Sequence, residues 1–92
     1  MSDQQAHVWI TGRVQGVFFR AATRDQAIVF GLKGWVRNLR DGRVEAVLKG
    51  PSEQVKRMLD WCWQGPPHAY VGDVKIEWET VDPGFDDFSI RY

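Results

Sequence analysis

The chain has 92 residues, enough for one domain, and its content of 43% hydrophobic and 13% aromatic residues supports a packed core. Twelve basic residues balance twelve acidic residues, which argues against a dedicated nucleic-acid or membrane-surface binder. The single cysteine excludes an internal disulfide. No signal peptide or apolar run of membrane-spanning length is visible, so a soluble cytoplasmic protein is expected.

The first residues of the chain are polar, and a strand-like segment follows them. Residues 1–6 are expected to form a disordered, frayed N-terminus, which leaves residues 7–92 as a single domain. The alternation of Val8 and Ile10 with their neighbours predicts a strand over residues 7–13.

A loop with two glycines joins this strand to a helical segment that starts near Arg20. The first N–H groups of a helix have no partner within the helix, and the helix dipole favours negative charge at that end. Gly12 and Gly16 allow successive loop N–H groups to turn inward as a nest, and the planar fork of Arg20 suits phosphate oxygens. Residues 12–20 are therefore a candidate anion site.

The first helix is predicted over about residues 20–30, and two apolar stripes compete on it. The alternatives are Thr23, Ala27 and Phe30 or Ala21, Ile28 and Leu32. We favour the first stripe as the buried one, because Gly31 would then cap the helix directly after its last apolar residue.

Two strands and a tight turn follow the first helix. The strands are predicted over about residues 33–39 and 43–49. Asp41-Gly42 between them is a strong hairpin signal, because both residues tolerate positive φ.

The second helix has the clearest periodicity in the chain. Its predicted buried stripe contains Val55, Met58, Leu59, Cys62 and Trp63. Gly65-Pro66-Pro67 ends the helix. The next strand alternates in hydropathy, and the residues predicted to face the core are Val74, Ile76 and Trp78. Residues 88–92 are predicted to form a short last strand.

The order of these elements, βαββαβ with a final strand, predicts an α+β fold of the ferredoxin-like type. In this sandwich two helices cover one face of an antiparallel sheet, and the extra C-terminal strand joins it. The first two strands run parallel with the third between them, so the glycine loop and Asn38 lie at the same sheet edge. Two strand spacings separate their backbones by roughly 10 Å, a gap that the Arg20 and Asn38 side chains can mostly span.

Several short motifs spread along the chain match one known pattern. They are Gly12-Arg13-Val14-Gln15-Gly16-Val17-Phe18-Phe19-Arg20, Gly34-Trp35-Val36-Arg37-Asn38, Asp41-Gly42-Arg43-Val44, Gly50-Pro51 and Phe88-Ser89-Ile90-Arg91-Tyr92. In these motifs the chain closely resembles the acylphosphatase family, over about residues 8–92. The resemblance implies the same fold and the metal-independent hydrolysis of acyl phosphates to a carboxylate and inorganic phosphate.

The resemblance also implies a role for each residue of the site. Main-chain N–H groups and one guanidinium would bind the phosphoryl oxygens, and the residues concerned are Gln15, Gly16, Val17, Phe18, Phe19 and Arg20. Asn38 would position the attacking water through its carboxamide, so Arg20 and Asn38 are the catalytic candidates. No metal and no cofactor are expected.

The expected partner is a small acyl phosphate. Acetyl phosphate, carbamoyl phosphate and 1,3-bisphosphoglycerate are candidates by family likeness. Specificity is expected to be loose, because nothing in the chain indicates a shaped pocket for one acyl group. We expect a monomer with neither a nucleic-acid nor a membrane partner.

Other residues and other functions carry weaker signals. Phe18 and Phe19 are predicted to anchor the loop in the core, and Cys62 is predicted to be a core residue. His7 and His68 show no metal-ligand spacing. An RNA-binding sheet would need aromatic residues on its third strand, where residues 43–48 have none. A module that binds acyl phosphates but turns them over poorly is the other alternative.

Overall fold

One five-stranded sheet and two helices form two layers in the computed structural model, which describes residues 2–92. The elements are β1 (Asp3–Arg13), α1 (Phe19–Val29), β2 (Lys33–Asn38), β3 (Val44–Pro51), α2 (Ser52–Gln64), β4 (Tyr70–Glu79) and β5 (Phe88–Ile90). α1 packs over β2 and β5, and α2 packs over β4 and β1. The predicted ferredoxin-like sandwich with an extra last strand is confirmed. None of the helices within residues 2–92 combines the length and the apolar character needed to cross a membrane.

The strand order is β4-β1-β3-β2-β5, and β3 is antiparallel to both β1 and β2. β1 and β2 therefore run in the same direction and end at the same edge, as predicted. β5 pairs parallel to β2, so the sheet is mixed and the prediction of an antiparallel sheet is wrong for this strand. Residues 80–87 connect β4 at one edge of the sheet to β5 at the other, and the main-chain carbonyl of Asp87 accepts a hydrogen bond from the N–H of Gly34, so the start of β5 lies beside the start of β2.

The core lies between the sheet and the helices. It contains Val8, Ile10, Val36, Val44, Leu48, Val55, Met58, Cys62 and further apolar side chains. On α1, Thr23 and Ala27 are buried and Phe30 just after the helix is partly buried, whereas Ile28 is exposed, so the favoured stripe faces the core. Leu32 of the other stripe is also buried, but it lies beyond the end of the helix. The N–H of Gly31, at φ +70°, donates to the carbonyl of Ile28 just after the helix, which is the predicted cap.

Three details differ from the sequence predictions. The prediction of a frayed N-terminus over residues 1–6 is wrong for residues 3–6, which pair with β3. Residues 5 and 6 also pair with β4. Met1 lies outside the described residues. Trp63 is half exposed although the stripe of α2 places it inside. Trp78 is also exposed, because it lies on β4, an edge strand with a neighbour on one side only.

Candidate active site

The loop between β1 and α1, residues 14–18, has an unusual backbone. Gly16 has φ +75° and Phe18 has φ +61°, so both lie in the left-handed region, which a bulky side chain seldom adopts. The N–H of Ala22 donates to the carbonyl of Phe18 at 3.0 Å and closes the first turn of the helix. Within residues 2–92, the N–H groups of residues 15–20 donate no hydrogen bond. These free donors at a helix start make an environment suited to an anion.

Two adjacent phenylalanines in this region have opposite environments. Phe19 is 2% exposed and packs against Trp61, with ring centroids 5.7 Å apart, so it anchors the start of α1 in the core as predicted. Phe18 is 85% exposed, and the prediction that it too is an anchor is wrong. The left-handed backbone at Phe18 turns its side chain outward while the next residue enters the core.

Gln15 connects the β1–α1 loop to the loop between β2 and β3, residues 39–43. Its Nε2 donates to the carbonyl of Leu39 at 2.7 Å and to the carbonyl of Arg43 at 3.0 Å. The side chain of Gln15 is therefore committed to the protein, and only its main-chain N–H is free for a ligand. This contact holds the β1–α1 loop beside the end of β2, where Asn38 lies.

Arg20 and Asn38 line one pocket of about 310 Å³. The remaining predicted residues on its wall are Gln15, Gly16, Phe18 and Phe19, whereas Val17 packs toward the core. Arg20 is the one charged side chain on this wall, so the pocket is cationic. The sequence prediction that Arg20 and Asn38 meet at one edge of the sheet is confirmed.

Asn38 ends β2, and its side chain is incompletely satisfied. The Oδ1 atom is buried and has no hydrogen-bond partner among the described residues. A buried polar atom without a partner is uncommon and costs free energy, so such an atom often marks a position that a water molecule or a ligand completes.

Tyr92 is a residue of the pocket that the sequence analysis missed. Its ring lies 5.0 Å from Cζ of Arg20, in a cation–π contact, and Ile90 lines the same wall. The signal was the strand order: Ile90 pairs with Val36, so the residue two positions later lies level with Asn38. Without knowing that β5 adds beside β2, the sequence does not show this neighbourhood.

The other reactive side chains lie elsewhere. Burial raises the pKa of the Cys62 thiol to about 12, so this thiol stays protonated in the core, as expected of a core residue. His7 lies on the sheet face opposite the helices, and His68 is exposed and does not line the pocket. In residues 2–92, no group of three or more His, Cys, Asp or Glu side chains could hold a metal ion.

The fold and the pocket define a class of protein, namely small ferredoxin-like sandwiches with a cationic pocket where the first strand meets the first helix. Comparisons with known proteins narrow this class. A family model described as Acylphosphatase matches residues 6–90. An acylphosphatase from Pelotomaculum thermopropionicum is 49% identical over 92 residues, all of this chain and all of that protein. An acylphosphatase from Gloeobacter violaceus is 59% identical over 86 residues, 94% of this chain and 91% of that protein.

A solved structure agrees with these relatives. The structure of an acylphosphatase from Coxiella burnetii matches this chain with a TM-score of 0.93 at 40% identity, covering 97% of this chain and 93% of that chain. The chain belongs to the acylphosphatase family. It is an enzyme that hydrolyses acyl phosphates.

Proposed function

We propose that the pocket binds the phosphoryl group of an acyl phosphate through Arg20 and the N–H groups of residues 15–20, and that Asn38 positions the attacking water. The observation that carries this proposal is the shared pocket: its wall contains one guanidinium, free main-chain donors and Asn38, whose buried amide oxygen has no partner among the described residues. A guanidinium and main-chain N–H groups make charge-assisted hydrogen bonds to phosphoryl oxygens.

The chemical step requires little covalent help from the protein. The water oxygen attacks phosphorus, the bond from phosphorus to the bridging oxygen breaks, and the acyl group leaves as a carboxylate. Phosphoryl transfer depends mainly on positioning and on stabilising charge in the transition state, which Arg20 and the loop N–H groups supply. Asn38 orients the water by accepting a hydrogen bond from it.

Proton transfer in this proposal involves the substrate itself. Carboxylic acids have pKa values of about 4, so the leaving carboxylate departs without a general acid. No Asp, Glu or His side chain lines the pocket, and a phosphoryl oxygen of the substrate takes the proton of the water. The reaction is therefore proposed to need no metal ion.

The proposed substrates are small acyl phosphates, namely acetyl phosphate, carbamoyl phosphate and 1,3-bisphosphoglycerate. The enzyme is proposed to be monomeric and cytoplasmic, with no nucleic-acid or membrane partner.

Phosphate release from acetyl phosphate and benzoyl phosphate, with and without a chelator, tests the reaction, and activity is expected to survive chelation. Asn38→Ala should lower kcat by about 10²- to 10³-fold, because it removes the group that orients water. Its inhibition constant for inorganic phosphate should stay within about twofold of the parent value, because phosphate binding does not use the amide. An Asn38→Ala enzyme as active as the parent would refute the water-positioning role.

Arg20→Ala tests the binding of the phosphoryl group. It should lower kcat/KM by at least about 10²-fold and weaken inhibition by phosphate, because the one charged group of the wall is lost. Arg24→Ala is the matched control, since Arg24 lies on the same helix and pairs with Asp25 at 3.2 Å outside the pocket. Equal losses in the two variants would contradict a specific role for Arg20.

A further inference from the structure

The pocket wall has two chemically different sides. Arg20, Asn38 and the N–H groups of the β1–α1 loop form a polar side that suits a phosphoryl group. The apolar side consists of Phe18, Ile90 and Tyr92, with Ala21 beside them. A wall of this kind fits a ligand that is anionic at one end and apolar at the other.

We propose that Phe18, Ile90 and Tyr92 form a binding site for the acyl group, which makes the enzyme selective for acyl phosphates with aryl or bulky apolar acyl groups. This inference rests on the proposed function, because the phosphoryl group must occupy the polar side. It replaces the expectation of loose specificity. The three substrates proposed above should then be hydrolysed less efficiently than benzoyl phosphate. Acetyl phosphate and carbamoyl phosphate are too small to cover this surface, and 1,3-bisphosphoglycerate would place its second phosphate against apolar side chains.

Phe18 supplies the first aromatic surface of this site. Its backbone lies in the left-handed region at φ +61°, and its ring is 85% exposed. Glycine or asparagine would adopt this backbone with less strain, and a polar residue would be better solvated. The exposed ring of Phe18 contributes little to the core, whereas the ring of Phe19 packs against Trp61. Backbone strain is retained where the surrounding structure imposes it and concentrates at ligand sites, so an exposed ring on the pocket wall is well explained by contact with a ligand.

Tyr92 supplies the second aromatic surface. Its ring is 97% exposed, and Arg20 lies against it with Cζ 5.0 Å from the centroid. A phosphoryl group bound to Arg20 is thus held next to this ring, and the acyl group begins one oxygen atom away from phosphorus. Single exposed apolar residues are common on protein surfaces. Here two large exposed rings and Ile90 border one pocket beside its one charged side chain, which distinguishes them from isolated surface residues.

The test compares benzoyl phosphate with acetyl phosphate through the ratio of their kcat/KM values, which cancels a general loss of activity. Phe18→Asn keeps a residue that tolerates the left-handed backbone but removes the ring. In Phe18→Asn, the ratio of kcat/KM for benzoyl phosphate to that for acetyl phosphate should fall by roughly fivefold to tenfold, because one aromatic contact is lost. Phe18→Tyr should keep the parent ratio. Tyr70→Ser is a further control, because Tyr70 is an aromatic residue of β4 that is 73% exposed and lies outside the pocket.

A binding experiment separates failure of this site from failure of the proposed hydrolysis. (2-Oxo-2-phenylethyl)phosphonate and (2-oxopropyl)phosphonate resemble the two substrates, but a methylene replaces the bridging oxygen and no hydrolysis occurs. Calorimetry should show that the parent binds the phenyl compound roughly fivefold to tenfold more tightly, and that Phe18→Asn loses this difference. Equal affinities in the parent, or a ratio of kcat/KM unchanged by Phe18→Asn, would overturn the acyl site. Absence of all turnover with intact selectivity between the phosphonates would leave the acyl site standing and would contradict only the proposed catalytic roles of Arg20 and Asn38.

Discussion

The Gln15 side chain shows how one residue can hold two parts of a site in register. Its amide donates to the carbonyls of Leu39 and Arg43, and each carbonyl also accepts a main-chain N–H, from Gly42 at 3.2 Å and from Leu39 at 2.8 Å. Removal of the amide therefore leaves neither carbonyl without a partner. The loss of stability is limited to the net value of two hydrogen bonds, about 0.5–1.5 kcal/mol each. The position of the β1–α1 loop relative to Asn38 should be affected more.

Gln15→Ala is expected to reduce the free energy of unfolding by about 1–2 kcal/mol and kcat by about tenfold, because small misplacements of positioned groups are costly in catalysis. Gln15→Glu should be worse than Gln15→Ala in both respects. A carboxylate cannot donate to the two carbonyls, and it brings negative charge to a pocket proposed to bind phosphate. Urea unfolding and acyl phosphate kinetics measure the two effects. Parent-like kcat in both variants would show that the contact does not position the loop.

The resemblance to acylphosphatases singled out Arg20 and Asn38, and the predicted fold, with strand 3 between strands 1 and 2, placed the elements that carry them at one edge of the sheet. The same reasoning could not reach Tyr92, whose place depends on which edge of the sheet the last strand joins. The prediction for Phe18 was wrong, because the sequence Phe18-Phe19 does not show that the first side chain points to solvent and the second into the core. This difference depends on the left-handed backbone at the N-terminus of α1.

At the scale of elements, β2 carries Asn38 at its end, and its second residue is a glycine that lies close to the neighbouring strand. Gly34 has φ +137°, and a Cβ atom built there would lie 1.9 Å from the carbonyl oxygen of Val47 on β3. Gly42, in the loop between these strands, has φ +97° but nothing within 4 Å of a built Cβ. Both positions disfavour a side chain through their backbone, and only Gly34 has a steric conflict as well.

Gly34→Ala should therefore lower the free energy of unfolding by about 3–5 kcal/mol, in the range of mutations that force a strand apart, and Gly42→Ala by about 1–2 kcal/mol. The difference isolates the close approach of β2 and β3, since both variants introduce the same methyl group at positive φ. Chemical denaturation of the two variants measures it. Equal destabilisation would mean that the ladder at Gly34 relaxes without cost.

Local sequence patterns predicted where helices and strands form more reliably than they predicted which side chains of each element are buried. The stripe of α2 was right for four residues and wrong for Trp63, because periodicity gives the direction of a side chain and not the width of the surface packed against it. Likewise, polar residues 3–6 gave no strand signal of their own. These residues form a strand because residues 48–51 of β3 pair with them on one side and, for residues 5 and 6, β4 pairs with them on the other. This information is present only in the assembled sheet.

Across the whole molecule, the sheet face opposite the helices carries a charged network that joins several strands. His7 on β1 lies 2.7 Å from Glu45 on β3 through Nε2 and 2.6 Å from Glu79 on β4 through Nδ1. Glu45 also accepts from Arg37 on β2 at 2.5 Å. Gln5 donates to Glu79 at 2.9 Å and accepts from the N–H of Asp82, which ties the segment before β5 to the same network.

Both carboxylates of this network favour the ionised form in the folded protein. Burial alone would raise the pKa of Glu45, but hydrogen bonds from His7 and Arg37 outweigh it, and the pKa lies below its ordinary value. The pKa of Glu79 is lowered by the hydrogen bond from Gln5, with His7 adding to the effect against partial burial. A carboxyl group whose pKa is lower folded than unfolded stabilises the fold above the unfolded pKa, which is about 4.3 for Glu. That stabilisation is lost as the pH falls through the folded pKa.

Glu45→Gln should consequently reduce the free energy of unfolding by about 1–3 kcal/mol near neutral pH, because a nearly buried carboxylate with two charged or polar donors is replaced by an amide. The curves of stability against pH for parent and variant should approach each other below the unfolded pKa of Glu, about 4.3, and meet once the pH has fallen through the lower folded pKa of Glu45. Glu77→Gln is the matched control on β4, because Glu77 is largely exposed and its carboxylate pairs with Lys75 at 3.4 Å. This variant should cost little at any pH. Urea titrations at a series of pH values give both curves. A Glu45→Gln deficit that does not shrink as the pH falls below the unfolded pKa of Glu, about 4.3, would show that the side chain acts through packing and not through its charge.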